Sequence, residues 1–300
     1  MPAPDSSIAS RLPAETRIGA VALQVADLDR SLQFYQTVVG FRVVARDDAP
    51  GAPTALLGPH ERDRVLLELH EKRGVRPVPR RGRLGIYHFA VLLPTRADLG
   101  RLLRHATVLG VHIGAADHAF SEAIYLVDPD GITLEVYRDR PRHEWPSRDG
   151  EMAAVSDPLD VKGLLSAAGD EKWQGLPAGT TIGHMHFYIG DISAAEAFYH
   201  GALGFDKTIW TLPGALFVSA GGYHHHVGLN TWAAGSPVAT EEDAKLLFWE
   251  LLLPDSATVE AAAERLRRAG HNVTSAGAVH SAVDPWGITV RLALHSRPLL

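Results

Sequence analysis

The chain has 300 residues, 46% hydrophobic and 21% charged, which is enough apolar material for a large core or two domains of ordinary size. A net charge of -6 with scattered Lys and Arg leaves no basic field for nucleic acid, and the absence of cysteine removes disulfides, thiolate metal sites and cysteine nucleophiles together, so any metal is held through N and O. No segment approaches the roughly 20 apolar residues that span a bilayer, and the opening MPAPDSSIASRLPAETR lacks a basic start and an apolar centre; a short disordered tail ahead of a cytoplasmic globular chain is expected, with neither membrane nor nucleic acid as partner.

In chain order, Ile18 to Phe41 reads as an alternating strand followed by a helix-period segment, ended at Gly40-Phe41. A second unit from Leu84 to Arg138 has a strand at Ile86 to Leu93, a helix at Arg96 to Leu109 ended by Gly110, and strands near Ala123 to Val127 and Thr133 to Tyr137. Between those last two strands, Asp128-Pro129-Asp130-Gly131 is a hairpin turn, because proline presets φ and glycine accepts the left-handed position. Pro141 to about Thr180 is rich in proline and charge, with one short helical stretch from Leu159 to Ala167, and reads as a connector. In the strand Ile182 to Ile189, alternation puts His184, His186 and Tyr188 on one side and Met185, Phe187 and Ile189 on the other. Asp191 to Leu203 then reads as a helix with Phe198 and Tyr199 inward, closed by Gly204. A fourth unit follows with Leu246 to Leu253, Ala257 to Ala269 and Ile288 to Leu294.

The units repeat. Residues 18 to 41 align without a gap on 182 to 205, pairing Asp27 with Asp191, Phe34-Tyr35 with Phe198-Tyr199 and Gly40-Phe41 with Gly204-Phe205. Leu92-Leu93-Pro94 recurs at Leu252-Leu253-Pro254, and Asp128-Pro129-Asp130-Gly131-Ile132-Thr133 at Asp284-Pro285-Trp286-Gly287-Ile288-Thr289. The expected organisation is a pair of units in 1–140, a connector in 141–180 and a second pair in 181–300. Carried through, the register sets Ala20 against His184, His88 against Phe248 and Glu135 against Arg291. Each pair keeps one metal-ligating residue type and loses the other. The survivors, two histidines and one carboxylate, are the ligand complement of a non-heme Fe(II) facial triad.

Four motifs in order, GIYHFAVLLP (85 to 94), DHAFSEAIYLVDPDGITLEVY (117 to 137), IGHMHF (182 to 187) and AGGYHHHVGLN (220 to 230), resemble the vicinal oxygen chelate superfamily and, within it, the extradiol ring-cleaving dioxygenases of catechol 2,3-dioxygenase type. The resemblance runs from about Ile18 to Leu294. It implies an α+β fold of four βαβββ modules whose sheets curl in pairs into two cups. It implies iron ligands at His184, His88 and Glu135, a pocket acid/base histidine at His225, a supporting histidine at His118 and a substrate-contacting tyrosine at Tyr125. In the commoner relatives all three ligands lie in the C-terminal half, whereas His88 and Glu135 here belong to the second unit and His184 to the third, so those two units must line one cup. The implied activity is O2-dependent cleavage of a catecholic substrate beside its diol, to a muconic semialdehyde-type product. Fe(II) is the favoured metal, with Mn(II) compatible with the same N/O set.

Other readings stay open. The superfamily also holds metal-dependent lyases and isomerases and metal-free, drug-sequestering binding proteins. His186 shares the inward face of His184 and is the rival ligand. Strand alternation would put His224 and His226 on one face and His225 on the other, so at most one or two of the run enter the pocket; an exposed run is the alternative. Asp128 and Asp284 read as turn residues, and the two Phe-Tyr pairs as core. The segment from Asp139 to Trp145 reads either as structure or as a lid, and oligomeric state is open, a homo-oligomer included.

Overall fold

The computed structural model describes residues 11–60 and 64–295. The expected tail is described only from residue 11 onward, and there it is bound to the fold: the Leu12 amide donates to the Gly204 carbonyl at 2.9 Å, and Leu12 and Thr16 are buried. Leu12 joins the main core, which the apolar content of the opening residues did not announce.

The βαβββ unit occurs four times. The first is β1 (Arg17–Val25), α1 (Leu28–Phe34), β2 (Arg42–Asp47), β3 (Thr54–Gly58) and β4 (Leu67–Glu71). The second is β5 (Gly85–Leu92), α2 (Arg96–Val108), β6 (Gly114–Asp117), β7 (Ser121–Val127) and β8 (Thr133–Asp139). The connector carries a small ribbon of β9 (Ser147–Arg148) and β10 (Glu151–Met152), then α3 (Val161–Ala167). The third is β11 (Thr181–Tyr188), α4 (Ile192–Ala195), β12 (Asp206–Ile209), β13 (Ala215–Ser219) and β14 (Val227–Asn230), and the fourth is β15 (Lys245–Leu253), α5 (Ser256–Arg268), β16 (Val273–Ala276), β17 (Val279–Val283) and β18 (Thr289–Leu294).

These strands form two curled eight-stranded sheets, ordered β16-β17-β18-β15-β1-β4-β3-β2 and β12-β13-β14-β11-β5-β8-β7-β6. The central seams are antiparallel, β1 with β15 and β11 with β5, so the first unit closes a cup with the fourth and the second with the third. Each sheet therefore takes one unit from either side of the connector. The sheets share one core, in which Phe187 of β11 and Trp249 of β15 lie with ring centres 6.0 Å apart. Truncating the fully buried Trp249 would cost about 3–5 kcal/mol by the cavity it leaves. No helix among the described residues is long and apolar enough to cross a membrane.

The repeated sequence marks have local physical causes. Asp27, Thr95, Asp191 and Asp255 each cap a helix, their side chains accepting from the amides of Arg30, Asp98, Ala194 and Thr258. The expected helix from Asp191 to Leu203 is α only through Ala195 and continues as a π turn over Glu196–Ala202; the first unit does the same over Tyr35–Val39. The wide turn shows in its hydrogen bonds, with Gly40 and Phe41 amides both on the Tyr35 carbonyl, and Gly40 sits at φ 94° where glycine carries no penalty. It aims each tyrosine across the inter-sheet boundary. Tyr35 donates to Asp128 at 2.9 Å and Tyr199 to Asp284 at 3.0 Å, so turn carboxylate and tyrosine lock the two units of each half together.

Asp128 also accepts from the Asp130 and Ile132 amides, yet burial pushes it up to about 7; Asp284, in the matching turn, is pushed by burial to about 6. A carboxyl raised above its ordinary 3.8 stabilises the fold fully below about pH 4, and that contribution is lost as pH rises through the folded value. Asp128→Asn removes the titration but keeps an acceptor. Its unfolding free energy relative to the native chain should therefore rise by up to about 4 kcal/mol between pH 4 and pH 8 in urea titrations. A difference that does not change with pH would contradict the burial argument.

Candidate metal centre

Ala90 is the pivot of the site. On β5 it pairs with His184 of β11 on one side and with Glu135 of β8 on the other, while His88 lies two residues back on the same face. The small side chain leaves room above the strand, and the three larger ones lean over it. Their ligand atoms all lie within 4.8 Å of one another. His88 Nε2 is 3.0 Å and His184 Nε2 3.3 Å from the same oxygen, Glu135 Oε2. All three residues are no more than 3% exposed.

This donor set fits a divalent metal better than it fits a hydrogen-bonded cluster. Among the described residues neither nitrogen of His88 has a hydrogen-bond partner, although the ring is buried; its 3.0 Å approach to Glu135 lacks the alignment for one. His184 Nδ1 is likewise without a partner. Buried polar atoms left so are costly, by about 1–3 kcal/mol each, and a cation shared with Glu135 would take up the lone pair of His88 Nε2, the atom that faces the carboxylate. Burial holds both imidazoles below their ordinary value and so neutral, the form that ligates. Burial alone would raise Glu135, but His184 and His88 beside it outweigh that and keep it well below the carboxylate range.

Two bulges in the central seam shape the site. Gly183 is an extra residue between the pairs Ile182 with Val91 and His184 with Ala90, and a Cβ there would fall 1.7 Å from the Tyr137 hydroxyl. Tyr87 is the extra residue opposite His186 and Phe187, which brings its ring beside His88 at 4.7 Å and onto Tyr188 at 4.6 Å. Trp232 stands 6.0 Å from Tyr87, so three aromatic rings form one wall next to the histidines. The same two irregularities recur where β1 meets β15.

The other candidate residues gather around this centre. His118 Nδ1 donates to the Val155 carbonyl at 2.8 Å, so its Nε2 accepts the Tyr125 hydroxyl at 2.7 Å, and Tyr125 pairs with Glu135 across β7 and β8. His225 packs against His184 with tilted rings whose centres are 4.1 Å apart, and burial followed by the neighbouring histidines holds it well below its ordinary value. The rival His186 is engaged elsewhere: the Asn230 amide donates to its Nε2 at 2.9 Å. The run His224 to His226 is wholly buried, not exposed, and strand alternation does not govern it because β14 begins only at Val227. His224 and His225 touch each other beside His184, whereas His226 turns away to accept from Ala220 and to meet Ser219, and burial pushes it down to about 3.

The segment after Glu135 also belongs to the surroundings. Asp139 Oδ1 accepts from His224 Nε2 at 2.9 Å, and Trp145 packs on His224 at 5.2 Å while donating to the Arg140 carbonyl. Sequence reasoning passed over Ala90, Tyr137 and Tyr223, and took Asp139 only as the start of a segment that is structure or lid. Glu135, Tyr137 and Asp139 lie at the two-residue spacing of one strand face, which was the available signal.

In the other cup the matching positions hold different chemistry. The Arg291 guanidinium carbon lies 3.3 Å from the centre of the Phe248 ring, and the Ala20 amide donates to Glu250 at 3.1 Å.

The sequence pattern of the Glyoxalase/Bleomycin resistance protein/Dioxygenase superfamily matches residues 17–136 and 181–292. A catechol-2,3-dioxygenase of Bacillus subtilis (strain 168) is 43% identical over 263 residues, spanning 86% of this chain and 90% of the relative. Among solved structures, a Bacillus subtilis subsp. subtilis str. 168 protein provisionally assigned as a dioxygenase superposes with a TM-score of 0.67 at 11% identity, covering 96% of this chain and 87% of that one. Glyoxalase I from Zea mays superposes with a TM-score of 0.56 at 19% identity, covering 93% and 92%. These two likenesses speak to the fold alone.

Proposed function

From the premise that the chain belongs to the glyoxalase/bleomycin resistance protein/dioxygenase superfamily, we propose that it is an extradiol dioxygenase that opens a catecholic ring with O2 to a muconic semialdehyde-type product. The observation that carries this reading is the meeting of two neutral imidazoles and one carboxylate, His88, His184 and Glu135, in the cup built by the second and third units. The relative named catechol-2,3-dioxygenase supports it over other chemistries of the same scaffold.

His88, His184 and Glu135 would hold Fe(II), with Mn(II) compatible with the same donors. When bound, the metal supplies an open face for both diol oxygens and O2 and a path for electrons between them. The chain's own residues do the rest. His225, neutral in its buried place beside His184, accepts the second catechol proton and later returns it to the product. Tyr125, oriented by His118, contacts a substrate oxygen. The wall of Tyr87, Tyr188 and Trp232 flanks the ring and keeps water from the reacting centre.

Protein loaded anaerobically with one Fe(II) per chain should consume O2 when mixed with catechol or a simple alkyl catechol, one O2 per ring opened, measured with an oxygen electrode and product absorbance. No uptake with any simple catechol while the metal stays bound would move the assignment to a lyase or isomerase of this superfamily. Full-strength binding of an aromatic ligand by metal-free protein would move it to a binding protein.

A further inference from the structure

A single carboxylate sets the direction of every hydrogen bond that leads to His225. Asp139 Oδ1 lies 2.9 Å from His224 Nε2, and His224 Nδ1 lies 2.8 Å from His225 Nδ1. An ionised carboxylate has no hydrogen to give, so His224 must donate to it through Nε2. A neutral imidazole carries one N–H, which leaves His224 Nδ1 as a lone pair. The hydrogen between the two Nδ1 atoms therefore belongs to His225. His225 then has its only hydrogen on Nδ1, and its Nε2 is a bare lone pair.

The surroundings hold this chain in place. His224 is stacked by Phe120 at 4.5 Å, meets the tilted ring of Tyr223 at 4.1 Å, and is fully buried. The second oxygen of Asp139 accepts the Tyr223 hydroxyl at 3.0 Å, so Tyr223 in turn accepts the Tyr137 hydroxyl at 2.6 Å. With His224 neutral and Asp139 ionised, no other direction satisfies all four contacts; an imidazolium His224 would instead donate at both nitrogens and leave the hydrogen of His225 on Nε2.

We infer that Asp139 and His224 are positioning residues that fix His225 in the Nδ1–H tautomer, so that its Nε2 is always the proton-accepting atom. The use of that atom rests on the proposed ring cleavage; the tautomer itself does not. In the proton step, the substrate O–H bond breaks, its electron pair stays on oxygen, and an N–H bond forms at His225 Nε2. The resulting imidazolium keeps its Nδ1–H bond to His224, whose ring relays the field of Asp139. Return of the proton restores the same tautomer.

The test is nitrogen-15 NMR of histidine-labelled protein loaded with Zn(II), which is diamagnetic, together with steady-state kinetics of the Fe(II) form. In the native chain, long-range proton–nitrogen correlations should show Nδ1–H at His225 and Nε2–H at His224. His224→Phe keeps the stacked ring but removes the acceptor, and should turn His225 to the Nε2–H form while Zn(II) stays at the native content. Its kcat should fall roughly 10–10²-fold with KM little changed, the range typical of partners that orient a functional group. His224→Gln, with one donor and one acceptor, should restore the tautomer and most of kcat. Nε2–H at His225 in the native chain, or unaltered Nδ1–H in His224→Phe, overturns the inference. The native tautomer pattern in a protein that cleaves no catechol would sink the dioxygenase reading and leave the positioning role standing.

Discussion

Glu135→Ala should take bound metal from one per chain to none after gel filtration, and so should His88→Ala and His184→Ala. Each substitution leaves two ligands where three converge, and the affinity lost should exceed the roughly 10²-fold that removing a mere supporting partner costs. The effect is also readable as stability: metal at 100 times its dissociation constant adds about 2.7 kcal/mol to a chain that binds only when folded, so the thermal shift seen on adding Mn(II) to the native chain should vanish in all three variants. Phe248→Ala and Arg291→Ala, in the other cup, should leave metal content alone, because the cation–ring stack there offers no lone pair to a cation. Metal content unchanged in Glu135→Ala, or near two per chain in the native protein, would contradict the ligand assignment.

His225→Ala should retain its metal and turn over about 10²–10⁴-fold more slowly, the usual contribution of a general acid/base. Its ring packs against His184 but is not among the three side chains whose ligand atoms converge, so binding and proton transfer come apart. His225→Gln guards against collapse of the space that alanine leaves. Loss of metal with normal turnover per bound iron would make His225 a ligand and the proton-moving role wrong.

The repeat made much of the fold legible, since four copies of one unit announce themselves at Phe34-Tyr35 with Phe198-Tyr199 and at Asp128 with Asp284. It also exposed the convergence of His88, Glu135 and His184, because Ala20, Phe248 and Arg291 are unlike their partners in register. What escaped was geometry that breaks a period. A π turn after Phe34 or Ala195 inserts a residue that helical spacing cannot register, and the bulges at Gly183 and Tyr87 re-aim side chains without altering composition. The histidine run was read as strand when it precedes β14, so which rings meet could not follow from alternation. Asp139 was legible only as the head of a segment that is structure or lid; its link to His224 crosses from the second unit to the third, a contact that no local pattern encodes.

The most direct measurement is the fate of labelled O2. Fe(II)-loaded protein turning over catechol under ¹⁸O2, quenched within the first turnovers because an aldehyde exchanges its oxygen with water, should give one ring-opened product carrying both labelled atoms and cut beside the diol. A cut between the two hydroxyls, or label arriving only from water, would contradict the account.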